Sequence, residues 1–360
     1  MTKPHNVAAL VAAFGIAVLL LARPHAQVPS RLDDREFWSL VDGMSETGGL
    51  FVSDNVISNE LEYQRPIPAL QAAGPRGAYI GVGPEQNFTY VAALKPSIAF
   101  IVDIRRGNRD LHLLYKALFE LSSDRADFLA RLFARGKPEG VTTKASAREL
   151  LDRFAAARVD EAKARRTLTE VENHLERVHR FRLAEDDRRG IEDIYRALYH
   201  GGPTIRGDFG GGSWIPSFVE LMTQTDAAGV NHSFLASEEG FTVVKDYQAR
   251  NLVVPLVGDF AGPKTIKAIG TYLEGRHDTV ATFYTSNVEE YLFKARSWPL
   301  FVENLRTLPA APKSAIVRTF FTHSDAGLST LLDSMQGTTK AAGQTRTYAD
   351  LIARSGEPTR

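Results

Sequence analysis

Two glycines separated by one residue, Gly81 and Gly83, are followed by Pro84, Glu85 and Asn87, and an aspartate, Asp103, stands 22 residues after the first glycine. Glycine lets a backbone approach a ligand without a Cβ in the way. Proline suits the first turn of a helix whose free N–H groups face the same space. An aspartate closing the next strand is placed to accept both hydroxyl hydrogens of a ribose. Together these residues point to a nucleoside-bearing ligand. A ligand-free strand-to-helix turn uses the same glycines, and a helix cap the same aspartate.

The third glycine of a dinucleotide fingerprint falls on Gln86, so the close helix–strand packing that accompanies pyrophosphate binding is not expected. A cofactor with a ribose and no phosphate, such as S-adenosylmethionine, tolerates that departure. Methyl transfer is an in-line displacement driven mostly by positioning, so it needs no fixed acid–base pair. Asp259 and Asn287, each just after a later apolar run, are then the candidate catalytic residues. Asp259 would orient the nucleophile or take its proton. Arg105, Asp259, Ser286 and Asn287 form the expected substrate side, and Arg105-Arg106 have the charge to clamp an anion. Turn and cap chemistry is the competing reading of Asp259 and Asn287.

Other chemistries are excluded or weak. The chain has no cysteine, which rules out disulfides, thiolate metal sites and a cysteine nucleophile. His174 and His179 are five apart, a spacing that does not share an α-helical face, so no metal site is expected. Gly212-Ser213-Trp214 lacks the strand–turn–helix setting of a nucleophile elbow. With 43 basic and 43 acidic residues in 360, no nucleic-acid partner is expected, and a small-molecule ligand is.

The elements that must position these residues follow from apolar patterning. Short apolar runs ended by turn residues predict strands over 78–82, 97–103, 232–236, 252–257, 279–284 and 315–321. Helical spacing predicts helices over 34–41, 84–93, 111–133, 237–248 and 262–273. This alternation argues for an α/β fold: an open, doubly wound, mostly parallel sheet with helices on both faces. Residues 136–200 are highly charged and helical, and read as an inserted helical subdomain with a solvated face. Residues 27–76 read as a wrapping segment, 77–336 as the α/β domain, and 337–360 as a polar tail in which 348–352 could form a docking turn.

At the N-terminus, residues 7–22 are uninterrupted apolar or small residues between Lys3 and Arg23. As a helix this run spans about 24 Å, against about 30 Å for a bilayer core. The length predicts a signal peptide over 1–26 and export, with a retained membrane anchor as the alternative. Without that segment the chain carries 41 basic and 43 acidic residues.

Several strings are distinctive in themselves: Phe51-Val52-Ser53-Asp54-Asn55, Ser58-Asn59-Glu60, and the stretches 79–88, 100–106, 115–121, 234–239, 257–264 and 286–293. They resemble an uncharacterised bacterial family typified by a Leptospira hypothetical protein and grouped by structure with S-adenosylmethionine-dependent methyltransferases. The resemblance covers most of residues 35–322. It implies a Rossmann-like fold with Gly81, Gly83, Glu85, Asn87 and Asp103 around S-adenosylmethionine, and Asp259, Ser286 and Asn287 toward an unknown methyl acceptor. An exported binding protein that uses the same crevice for another ligand is the alternative.

Overall fold

The computed structural model describes residues 27–51, 54–74, 77–207, 215–321 and 328–355. The expected signal segment at 1–26 and Gly212-Ser213-Trp214 lie outside the described residues. In chain order the elements are α1 (Asp34–Met44), α2 (Ile67–Ala73), β1 (Ala78–Gly81), α3 (Gln86–Leu94), β2 (Ala99–Asp103), α4 (Arg106–Leu121) and α5 (Arg125–Leu132). Then come α6 (Ala147–Ala156), α7 (Glu161–Asn173), a π-helical turn (His174–Val178), α8 (Glu185–Gly201), α9 (Phe218–Met222), α10 (Glu238–Ala249) and β3 (Val253–Val257). The chain continues through α11 (Thr265–Glu274), β4 (Val280–Ser286), α12 (Val288–Lys294), α13 (Trp298–Arg306), β5 (Ala310–Phe321), β6 (Leu328–Ser334), α14 (Met335–Ala341) and α15 (Tyr348–Arg354).

The six strands form one sheet in the order β3-β2-β1-β4-β5-β6, parallel from β3 through β5 and antiparallel at β6. Every residue of β1, β2 and β3 is buried, which is why these strands read as continuous apolar runs. Pro255 is tolerated because β3 is an edge strand whose other side is covered by α1. Helices α3, α4 and α10 pack on one another, and α1, α11 and α13 form a second contacting set. Residues 136–200 hold α6, α7 and α8, with α8 laid along α4. Among the described residues no helix is long and apolar enough to cross a membrane.

Four expectations need correction. Residues 232–236 are a loop and not a strand. Phe234 and Leu235 are buried, but the backbone N–H groups of Ser233 and Leu235 bond the side chains of Asn231 (2.8 Å) and Ser233 (3.1 Å), which competes with a strand ladder. The expected helix over 111–133 is two helices. Ser122 Oγ donates back to the Leu118 carbonyl, and Asp124 caps α5 by accepting from the Asp127 N–H at 2.8 Å. Strand β6 was not foreseen. It adds Asp333 to the buried Arg318–Glu289 pair and so ties the sheet edge to α12. Finally, the polar stretch after 337 is folded: α14 and α15 lie there, and Leu351, inside the expected docking turn at 348–352, is buried against the core.

The segment before β1 shares that core through Leu32, Phe37, Tyr63 and Ile67, all fully buried. It crosses the carboxyl edge of the sheet and is fastened there by carboxylates. Glu46 accepts from the backbone N–H groups of Lys264 (2.9 Å), Thr265 (3.0 Å) and Asp259 (3.3 Å). The first two are donors that the start of α11 leaves open, at the positive end of its dipole. Glu46→Ala is expected to cost about 1–2 kcal/mol in urea denaturation, and Glu46→Gln, which keeps an acceptor, visibly less. Equal losses in the two variants would mean that the carboxylate does not serve as the cap.

Candidate functional site

The carboxyl ends of β1, β2, β3 and β4 open into a cleft of about 620 Å³, walled by residues 50–51 and 55–60 on one side and α12 on the other. Its centre is where β1 meets β4, the point at which strand order reverses. Loops following these ends are free of the ladder, so their side chains and backbone groups are available to a ligand.

Of the residues singled out in the sequence, Gly83, Asp103, Arg105, Asp259, Ser286 and Asn287 line the cleft. Gly81, Glu85 and Asn87 do not; they build the loop that Gly83 presents. A Cβ on Gly81 would overlap Asn87 Oδ1 and the Tyr79 ring, so this glycine serves internal packing. Asn87 Nδ2 donates to the carbonyls of Val82 (3.1 Å), Gly83 (3.0 Å) and Pro84 (2.7 Å), and its Oδ1 accepts from Tyr79 Oη at 2.8 Å. Gly83 takes φ +79°, a conformation that favours glycine. Its carbonyl faces His112 Nε2 at 2.9 Å. Burial pushes the His112 imidazole down to about 4, so the ring is neutral and donates from Nε2.

Asp103 does not stand open for a ligand as the spacing suggests. Its carboxylate is forked by Arg105, with Nε to Oδ1 at 3.0 Å and a terminal nitrogen to Oδ2 at 2.8 Å, and Oδ1 also accepts the Arg105 backbone N–H at 2.9 Å. Arg105 reaches the Asn55 carbonyl at 3.2 Å as well. Arg106 does not join an anion clamp with it, because it pairs with Asp187 on α8. Asp259 Oδ1 accepts from the Ala261 N–H at 2.8 Å, the turn chemistry that competes with a catalytic role. Ser286 has φ +54°, uncommon for a residue with a Cβ, where β4 leaves the sheet. Its hydroxyl donates to Glu60 and lies 3.4 Å from Asn287 Oδ1.

Sequence reasoning missed Glu60. It is 2 % exposed, lines the cleft, and accepts from the hydroxyls of Tyr284, Ser286 and Thr319. Burial raises this carboxyl above its ordinary range despite those donors. Two further acceptors in the lining, Gln86 Oε1 and Asn55 Oδ1, are buried without a hydrogen-bond partner. Both atoms have almost no exposed surface, and Asn55 Oδ1 lies beside Gly207, so neither is offered to a molecule in the cleft. Aromatic surface comes from Phe260 and from Phe51 and Tyr291, whose rings meet edge to face at 4.8 Å. The string Ser58-Asn59-Glu60 was visible in the sequence, but nothing in its spacing tied it to strands more than 200 residues away.

The expectation about histidines also changes. The π-helical turn brings His174 and His179 together on Glu120, outside the cleft. Among known proteins, the family model for a domain of unknown function (DUF7790) matches residues 55–344. No curated protein matches the chain.

Glu85, fully buried, holds the wrapping segment by accepting the Ser58 N–H on both oxygens at 3.2 Å. Burial pushes its carboxyl from 4.5 up to about 7. A carboxyl raised on folding stabilises the fold fully below pH 4.5, and that contribution is lost as pH rises through 7. Wild-type stability in urea should therefore fall by about 2–3 kcal/mol between pH 4.5 and 8 through this group, and Glu85→Gln should remove that part of the slope. An unchanged slope in the variant would show that Glu85 is ionised throughout.

Proposed function

Because the chain belongs to the family of a domain of unknown function (DUF7790), its function has to be read from the cleft, and we propose that the cleft binds S-adenosylmethionine for methyl transfer to a small acceptor. The observation that carries the reading is Asp103, which closes β2 beside the Gly83 turn in a cleft at the strand-order reversal. Its carboxylate accepts hydrogen bonds and suits the paired hydroxyl donors of a ribose. The volume is that of a site for a ligand of this size. Carboxylates of Glu60, Asp103 and Asp259 with nearby aromatic rings favour a cationic sulfonium, and Gln86 in place of a third glycine disfavours pyrophosphate.

When bound, S-adenosylmethionine supplies an electrophilic methyl group. The chain's own part is to bind, orient and accept a proton. Asp103 would hold the ribose hydroxyls, which requires Arg105 to share or yield that carboxylate. Asp259 and Asn287 face the acceptor and position its nucleophile, and Arg105 and Ser286 complete the substrate side. Glu60, raised by burial, is the better placed proton acceptor, with Ser286 Oγ as the route to it. The strand order with a single antiparallel edge supports a doubly wound, Rossmann-like arrangement. The resemblance to the family typified by a Leptospira protein belongs to the same proposal.

A second reading, an exported or membrane-anchored binding protein without catalysis, is favoured by the forked Asp103–Arg105 pair, which closes the ribose-binding carboxylate in the ligand-free chain. The apolar run at 7–22 supports export. The two readings separate by calorimetry and thermal denaturation with S-adenosylmethionine, its demethylated product and NAD. The methyl-transfer reading expects stabilisation of about 2.7 kcal/mol at a hundredfold excess over Kd by the first two, none by NAD, and at least a tenfold loss of affinity in Asp103→Asn. No stabilisation by any of them leaves the binding-protein reading in place.

A further inference from the structure

Far from the cleft, three side chains from two elements aim ligand atoms at one point. Glu120 closes the last turn of α4, while His174 and His179 bracket the π-helical turn that ends α7. Both imidazole Nε2 atoms lie 2.6 Å from Glu120 Oε2, and all three ligand atoms are within 4.8 Å of one another. The π turn makes this possible. Its i to i+5 bond, from the His179 N–H to the His174 carbonyl at 3.0 Å, stacks residues five apart on one side, which an α-helix does not. The two rings stand perpendicular at 4.8 Å, as two imidazoles on one ion can.

The surroundings select the state of the cluster. His179 Nδ1 faces Asp34 Oδ1 at 2.8 Å, and that carboxylate requires the Nδ1–H form. With Nδ1 donating to Asp34, Nε2 is the atom left to face Glu120 Oε2, where a divalent ion can take the place of the proton between them. Lys116 takes the other oxygen of Glu120 at 2.6 Å and leaves Oε2 to the histidines. A carboxylate behind a histidine, fixing its tautomer, is the usual support of a metal-bound imidazole. Phe181 stacks on the His179 ring at 4.9 Å and fixes its plane. All three ligand side chains keep some solvent access, so a further coordination position faces water.

We propose that His174, His179 and Glu120 form a binding site for a divalent first-row transition ion, with zinc as the representative ion, and that Asp34 is its outer support. Two nitrogens and one carboxylate oxygen suit such an ion, and bond lengths of about 2.0–2.2 Å are reached by a small spreading of the present cluster. The site joins α1, α4 and the helical insertion, so occupancy would clamp the insertion to the rest of the chain.

The test uses the full chain, stripped with chelator and titrated with Zn²⁺ by calorimetry and with Co²⁺ by visible absorption. One ion per chain is expected, with a Co²⁺ spectrum of low coordination number. His174→Gln and His179→Gln should each weaken Zn²⁺ by about a hundredfold, and Asp34→Asn by about tenfold. X-ray absorption of the wild-type Zn²⁺ form should show two imidazole ligands, a readout that stands even if a variant misfolds. Absence of Zn²⁺ binding, retention undiminished in folded histidine variants, or an absorption spectrum without imidazole scattering would each overturn the proposal.

Discussion

The cleft exists because carboxylates hold the segment before β1 across the carboxyl edge of the sheet. Glu60 is the central one, an acid with almost no solvent contact that accepts three hydroxyls, two from β4 and one from β5. Glu46 and Glu85 repeat the device on either side, the first from the segment to the start of α11 and the second from the body to Ser58. A buried carboxylate is costly unless its lone pairs are filled, so each of these acids fixes the position of whatever donates to it. Removing the segment would leave the ends of the strands as an open edge.

The same economy of donors shapes the floor. Asn87 spends its amide on three successive carbonyls, and His112, kept neutral by burial, takes the Gly83 carbonyl from the other side. The turn after β1 is thereby rigid before any ligand arrives, a preorganisation that lowers the entropy lost on binding. Against this, Asp103 and Arg105 satisfy each other. A ligand that claims Asp103 has to better a bidentate ion pair, so the site discriminates in favour of molecules that offer two donors at once.

Much of this was legible in the residues. Strands β1, β2, β3 and β4 announced themselves as buried apolar runs, and their last residues and the loops after them include six of the cleft-lining residues singled out in advance. What was not legible has a common cause, which is partnership over long sequence separation. Glu60 looks like any loop acid until β4 and β5 deliver their hydroxyls. Strand β6 follows an unremarkable alternation and is fixed by pairing with β5 and by Asp333 on Arg318. His174 and His179 fail an α-helical spacing rule because the backbone there is not α-helical. Residues 232–236 have the apolar content of a strand, yet local side-chain bonds from Asn231 and Ser233 take their backbone donors.

The most direct measurement of the central claim is a crystal structure of the chain grown with S-adenosylhomocysteine. The account predicts the nucleoside in the cleft, with its ribose hydroxyls on Asp103 and Arg105 displaced or sharing that carboxylate. A saturated crystal with the Asp103–Arg105 fork intact and the ligand absent from the cleft, or bound elsewhere, would contradict it.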